Sequence, residues 1–239
     1  IAALIGAAPA EIFFTSGGTE ADNMAIKGCA TNGVEHFITT RIEHHAVTHP
    51  IEELEKSGKK VTWLPVNEIG HPDLNALEKA LKTGPKAMVC LMYANNELGT
   101  LLDIEAVAKL CEKYGAIFQS DTVQAMANLK FDLTQTPVHF LTASAHKFYG
   151  PKGIGFLYMR SGMKIPSLIC GGAQERNLRA GTESVASIAA MSFALQKCYA
   201  NFDKKNSHLR KLKAHFWEGL QRVAPGVSLN GIFDAEKSI

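Results

Sequence analysis

Short runs of apolar, β-branched and aromatic residues recur along the chain, separated by stretches whose apolar positions fall at helical spacing. The runs at 11–15, 36–40, 61–66, 87–93 and 116–121 predict strands. Between them, 46–57 sets Val47, Ile51 and Leu54 against a charged face and stops at Gly58, which predicts an amphipathic helix. The pattern repeats over 103–114, closing at Gly115. Strands that are apolar almost throughout, such as Met88-Val89-Cys90-Leu91-Met92, fit a largely parallel sheet covered on both faces by helices.

After Asp121 the rhythm changes. The runs 138–144 and 153–159 predict two strands joined by a Lys- and Gly-bearing loop instead of a helix, so the sheet is expected to be mixed. From 182 to 223 the pattern is helical, Ala-rich first and Lys/Arg-rich later. The opening residues, Ile1 to Pro9, have no charged leader and predict the tail of a helix entered in mid-fold.

Composition narrows the class. A chain of 239 residues that is 46% hydrophobic can bury one substantial core, with the start of a second unit. The formal charge of +2 is dispersed and gives no basic stripe for a nucleic acid. No apolar run approaches the roughly 20 residues of a membrane span. Neither nucleic acid nor membrane is therefore expected as a partner. The five cysteines, Cys29, Cys90, Cys111, Cys170 and Cys198, lack the paired spacing of a zinc site or redox dithiol and are expected to be core filler in a reducing compartment, the cytoplasm. Cys170 in particular is expected to be a buried strand-end residue.

In a sheet of this kind ligands bind beyond the carboxyl ends of the strands. Five polar segments follow strands here. Thr15-Ser16-Gly17-Gly18-Thr19-Glu20 opens a helix whose free N–H groups and dipole suit a phosphate, although such a turn equally serves as a plain cap. Arg41-Ile42-Glu43-His44-His45 offers an imidazole to stack on a flat cofactor or move protons, or is a surface loop. Asn95-Asn96-Glu97-Leu98-Gly99-Thr100 is polar and turn-forming. Asp121 is either a helix cap or the group that keeps a pyridinium nitrogen protonated. Lys147, directly after an apolar strand and beside glycines, is a candidate Schiff-base amine. A Gly turn, a His, an Asn, an Asp and a Lys in this order at strand ends form a far stronger signal than any one of them.

Those residues resemble the class V, fold type I enzymes that use pyridoxal 5'-phosphate (PLP), and within them the NifS- and IscS-like cysteine desulfurases. Asp121-Thr122-Val123-Gln124 followed by Ser144-Ala145-His146-Lys147 is similar to the family's Asp-x-x-Gln and Ser-x-His-Lys motifs; Thr122 stands where an Ala often packs on the ring. Glu43-His44-His45-Ala46-Val47, the Asn95–Thr100 segment, and Gly171-Gly172-Ala173-Gln174-Glu175 leading to Arg179-Ala180-Gly181-Thr182-Glu183 point to the desulfurase branch.

The resemblance implies an α/β fold: a mostly parallel mixed sheet covered by helices on both faces, with a PLP-binding large domain over 1–197 and a linking helix with the start of a small domain over 198–239. It implies that Lys147 is the Schiff-base lysine and that His44 lies over the ring and assists proton transfer. Asp121 would pair with the pyridine nitrogen, and Gln124 and Asn96 would hydrogen-bond near the ring's phenolic oxygen or the substrate. Gly18, Thr19, Glu20, Ser144 and His146 would hold the phosphate, with Thr182 reaching it from the partner subunit of a homodimer. The implied reaction takes L-cysteine to L-alanine with sulfur passed to a protein thiol and onward to an acceptor or scaffold protein, for iron-sulfur clusters or thio-cofactors. The family's nucleophilic cysteine is expected after Ile239, and no metal is expected. Two alternatives stand beside this: a selenocysteine lyase or other class V aminotransferase-like enzyme, and a PLP-binding scaffold without catalysis.

Overall fold

The computed structural model describes residues 1–234 and 237–239. Seven strands form one sheet: β1 (Ile12–Thr15), β2 (His36–Thr40), β3 (Lys60–Leu64), β4 (Ala87–Cys90), β5 (Ile117–Asp121), β6 (Phe140–Ser144) and β7 (Gly155–Met159). Their spatial order is β1-β7-β6-β5-β4-β2-β3. Pairs among β3, β2, β4, β5 and β6 are parallel, whereas β7 runs antiparallel to both β6 and β1. The expected mixed, mostly parallel sheet is therefore present, with β7 as its reversed strand.

Strand alternation sorts the core into two clusters. Ile38, Val89, Phe118, Leu141 and Phe156 belong to one, and their chain neighbours Phe37, Met88, Ile117, Phe140 and Leu157 to the other. Helices α2 (Gly18–Thr31) and α3 (His45–Lys56) cover the second cluster with Met24, Ala25, Val47 and Ile51. Helices α4 (Leu74–Thr83), α5 (Ile104–Lys113) and α7 (Val185–Ala200) cover the first with Leu77, Val107, Ala108, Met191 and Leu195. Both faces are thus sealed, which is why the strands read as continuous apolar runs.

Helix starts follow capping chemistry: Asp73 accepts from the N–H groups of Asn75 and Ala76, and Asp103 from that of Ala106. A short helix α1 (Ala2–Ile5) occupies the start of the chain, and α6 (Gln174–Asn177) is a single irregular turn in which Glu175, Arg176 and Asn177 are left-handed. The 182–223 stretch is two helices, α7 and α8 (Phe202–Val223), divided at Asn201; α7 runs unbroken through 197/198. Strand β4 stops at Cys90, three residues short of the predicted run, although the Leu91 and Tyr93 N–H groups still reach the Gln119 and Asp121 carbonyls of β5.

His36, the first residue of β2, makes the fold sensitive to acid. It is fully buried, its Nε2 is 2.7 Å from the Thr62 hydroxyl, and its Nδ1 has no partner. Burial, with Lys60 adding to it, lowers its pKa from the ordinary 6.5 to about 4. The unfolded chain then binds the proton more readily, so this contribution to stability is complete above pH 6.5 and is lost as pH falls towards 4. In urea melts the gap between wild type and His36→Gln should narrow over that window; a gap independent of pH would contradict it.

Candidate functional site

The carboxyl ends of β1, β2, β5 and β6 face the same side of the sheet, and the segments following them assemble the candidate site. After β1, α2 begins at Gly18, and its first internal bond runs from the Ala21 N–H to the Gly17 carbonyl at 3.2 Å. The N–H groups of Gly18, Thr19 and Glu20 precede that bond and lack helical partners, which gives the turn its affinity for anions. Glycine at 18 has a packing reason: a Cβ there would come within 2.6 Å of a Val123 methyl, just beyond Asp121. A cavity of about 330 Å³ is lined by this turn together with Ser144, His146, Lys152 and Gly153. Ser144 Oγ and His146 Nδ1 are hydrogen-bonded at 2.9 Å across it. Five of the predicted phosphate-binding residues, Gly18, Thr19, Glu20, Ser144 and His146, therefore share one cavity. Glu20 has only its main chain to offer an anion, because its carboxylate is taken by Arg179 at 2.8 Å and by the Ser16 N–H.

Lys147 rides on a tight 3-10 turn, Ala145–Phe148, that doubles back so that the Gly150 N–H reaches the Ala145 carbonyl at 2.9 Å. Tyr149 closes the turn in the left-handed region, φ 64°, a conformation uncommon for a bulky residue. Ala145 and Phe148 are buried while Lys147 is exposed, so the turn is anchored in the core and presents the amine outward.

Asp121, at the end of β5, is buried and accepts the Val123 N–H at 2.8 Å. Burial pushes its pKa above the ordinary carboxylate range; that hydrogen bond and the positive fields of His44 and Lys147 pull it back. His44 and Lys147, each following a different strand, are thus both within electrostatic reach of Asp121. His44 caps α3, its Nδ1 accepting the Ala46 N–H at 3.1 Å. That bond makes Nε2 the proton-bearing nitrogen of the neutral ring.

The remaining predicted residues line two other cavities. Asn96 and Gln124 line a larger cleft of about 500 Å³ between the 95–99 loop and α8, with Asn96 Nδ2 donating to Glu97 at 2.9 Å. Thr182 is exposed beside a third cavity of about 190 Å³ that shares Ser16 and Gly153 with the phosphate-type cavity. Cys170, expected to be buried at a strand end, is instead exposed in the loop after β7 and in no strand, because the irregular segment 160–173 leaves the sheet after Met159. The other four cysteines are buried as expected.

Sequence patterns assigned no role to several residues that hold the site in shape. Glu43 accepts from the Met92 N–H at 2.8 Å and the Thr40 hydroxyl at 3.2 Å, tying the His44 loop to the end of β4. Asn95 Nδ2 donates to the Ile42 carbonyl at 2.8 Å and stitches the same two loops. Arg176 donates to the Ala10 and Ile12 carbonyls and stacks on Phe13, while Arg179 pairs with Glu20, so both arginines are committed inside the chain. The one sequence signal for Glu43 and Asn95 is their place beside His44 and Asn96 at strand ends.

The model of the family described as Aminotransferase class-V matches residues 1–238. The chain belongs to that family. Its members use PLP, which suits a site built from a lysine, a buried carboxylate and a helix N-terminus. Among curated proteins, a cysteine desulfurase IscS of Clostridium botulinum strain Hall is 43% identical over 232 residues, 96% of this chain and 58% of the relative. A cysteine desulfurase IscS of Dictyoglomus turgidum is 45% identical over 235 residues, 97% of this chain and 59% of the relative. The chain therefore spans under three fifths of the length of these relatives. Among solved structures, a NifS-like protein superposes with a TM-score of 0.93 at 35% identity, over all of this chain and 65% of that one. A structure titled SspA in complex with cysteine gives 0.79 at 36% identity, over 82% of this chain and 58% of that one.

Proposed function

We propose that this chain is the cofactor-binding part of a PLP-dependent cysteine desulfurase. The observation that carries the reading is the convergence of Lys147, Asp121 and His44 beside a helix N-terminus that shares a cavity with Ser144 and His146. The IscS relatives and the cysteine complex of a structural neighbour support cysteine as substrate. When bound, PLP supplies an electron sink for the charge released at the Cα of an amino acid.

The residues divide the work. The backbone N–H groups of Gly18, Thr19 and Glu20, with Ser144, His146 and Thr19 side chains, would neutralise the phosphate. Asp121, in a dry setting that strengthens its field, would keep the ring nitrogen protonated. Lys147 Nζ would anchor the cofactor and, once displaced by the substrate amine, take the Cα proton. His44 would cover the ring with its Nε2–H free to donate. In the sulfur step a thiolate attacks the sulfur of cysteine, the Cβ–S bond breaks with its electrons moving to carbon, and a proton completes alanine. The products are alanine and a persulfide, with no external oxidant.

Asn96 and Gln124 border the cleft through which substrate would enter. The reading includes a homodimer in which Thr182 serves the partner's phosphate site, supported by the exposed Val185 and Phe193 on the neighbouring helix. It also includes the cytoplasm as compartment and iron-sulfur cluster supply as purpose, the latter resting on the IscS name of the relatives. The test is product analysis: the PLP-loaded protein, given L-cysteine and a small thiol acceptor, should form alanine and sulfide in equal amounts. Mercaptopyruvate, the product of amino transfer, or pyruvate, the product of β-elimination, would overturn the assignment.

A further inference from the structure

Asp22 is fully buried on the face of α2 that meets the sheet, and the site described above makes no use of it. Its Oδ1 accepts from Gln119 Nε2 at 2.8 Å, a contact between residues 97 positions apart. Its Oδ2 has no partner, nor has Gln119 Oε1 or Thr142 Oγ1. Gln119 lies two residues before Asp121 on β5, hence on the same face, and Thr142 is the register partner of Asp121 on β6. Asp22 and Asp121 are therefore two carboxyl groups buried together at the root of the candidate site.

The hydrogen-bond inventory decides which of them is charged. An ionised Asp22 would leave two buried acceptors, its own Oδ2 and Gln119 Oε1, to share the single Thr142 hydroxyl proton, so that one of them stays without a donor. A proton on Oδ2 turns that oxygen into a donor and leaves two acceptors, Gln119 Oε1 and Thr142 Oγ1, to receive it. Glu43 is the contrast, since both of its oxygens already accept from donors. The charged groups acting on Asp22 are also acidic: Asp121 on β5 and Glu43 after β2, with the Cys90 thiol on β4 in reach. Burial raises its pKa well above the ordinary range and Asp121 raises it further, while the Thr142 hydroxyl and the Gln119 amide beside it offset part of this. Asp121 differs in having His44 and Lys147 within electrostatic reach, both of which favour its charged form.

We infer that Asp22 is a neutral carboxylic acid in the folded protein, donating from Oδ2 towards Gln119 and Thr142, and that this positioning residue leaves Asp121 as the ionised member of the pair. The protonation state stands without any cofactor; its service to the pyridine nitrogen rests on the proposed role of Asp121. Two like charges this close in a dry interior cannot both ionise cheaply, so the proton on Asp22 and the charge on Asp121 are one arrangement.

Infrared difference spectra of cofactor-free protein at neutral pH, wild type minus Asp22→Asn, should contain the carbonyl stretch of a protonated carboxyl group. Loss of a carboxylate pair of bands in its place would overturn the inference. Asparagine replaces the acid O–H with an N–H donor, so Asp22→Asn should keep a melting temperature near wild type while Asp22→Ala loses it; an Asn variant that falls as far as the Ala variant would also overturn it. In wild-type protein carrying ¹³C-labelled aspartate the same band should be present and shifted by the label, and its absence at neutral pH is a further contrary result. Because the band is measured without PLP, failure of the desulfurase reading would leave it in place. Conversely, a missing band with intact PLP binding would sink only the Asp22 inference.

Discussion

Lys147→Ala should abolish covalent attachment of PLP and reduce alanine formation from cysteine by at least about 10²–10⁴-fold, the range contributed by a positioned acid–base group, with the loss of the anchoring amine added. In wild type, borohydride treatment followed by peptide mapping should fix the cofactor to the peptide bearing Lys147. The fold should be untouched, since Lys147 is exposed and the turn that carries it is held by buried Ala145 and Phe148 and by the Gly150 N–H on the Ala145 carbonyl. The discriminating comparison is Lys152→Ala. Lys152 also lines the phosphate-type cavity, so its loss should weaken cofactor affinity without removing the covalent link. A borohydride-fixed adduct on Lys152, or on any other lysine with Lys147 intact, would refute the assignment.

The positions of the catalytic candidates were legible because both signals behind them are local. An apolar run fixes where a strand ends, and a polar residue at that point is visible without knowing the partners of the strand. Lys147, Asp121, His44 and the Gly17-Gly18 turn were all found in this way. Their common location follows from parallel strands, whose carboxyl ends must lie on one side. What could not be read depends on pairing across the chain. Asp22 looks like an ordinary polar residue in the first turns of a helix, and only the packing of α2 against β5 makes it a buried acid beside Asp121. Glu43 reads as part of a histidine loop until the end of β4 arrives above it. Cys170 departs from its expected place at a buried strand end, since the residues around it form no strand and Gly171 and Gly172 follow directly. Asn96 and Gln124 show a further limit, since adjacent strand ends open here into two separate cavities.

Gly155→Ala should be the most disruptive single methyl that can be added near the site. Gly155 is the first residue of β7, paired with Thr15 of β1 on one side and Ser144 of β6 on the other. A Cβ at this position would overlap the Ala143 carbonyl and approach Gly17 Cα to 2.7 Å and its carbonyl carbon to 2.9 Å. All three obstacles are backbone, so no rotamer change relieves them, and the strand or the Gly17 turn has to move. Overpacking of this sort costs about 1–3 kcal/mol, more where nothing can yield, which places the expected loss at or above the upper end. Because the atoms displaced belong to the Gly17 turn and to β6 just before Ser144, affinity for PLP should fall by more than about tenfold, the factor that 1.4 kcal/mol represents. Gly162→Ala provides the control beyond the end of β7. Gly162 has φ 88° but nothing within 4 Å of its added methyl, so it should lose only the roughly 1 kcal/mol of left-handed backbone strain and retain the cofactor. Equal losses of PLP affinity in the two variants, read by absorbance titration, would mean that close approach of β7 to the Gly17 turn does not shape the anion site.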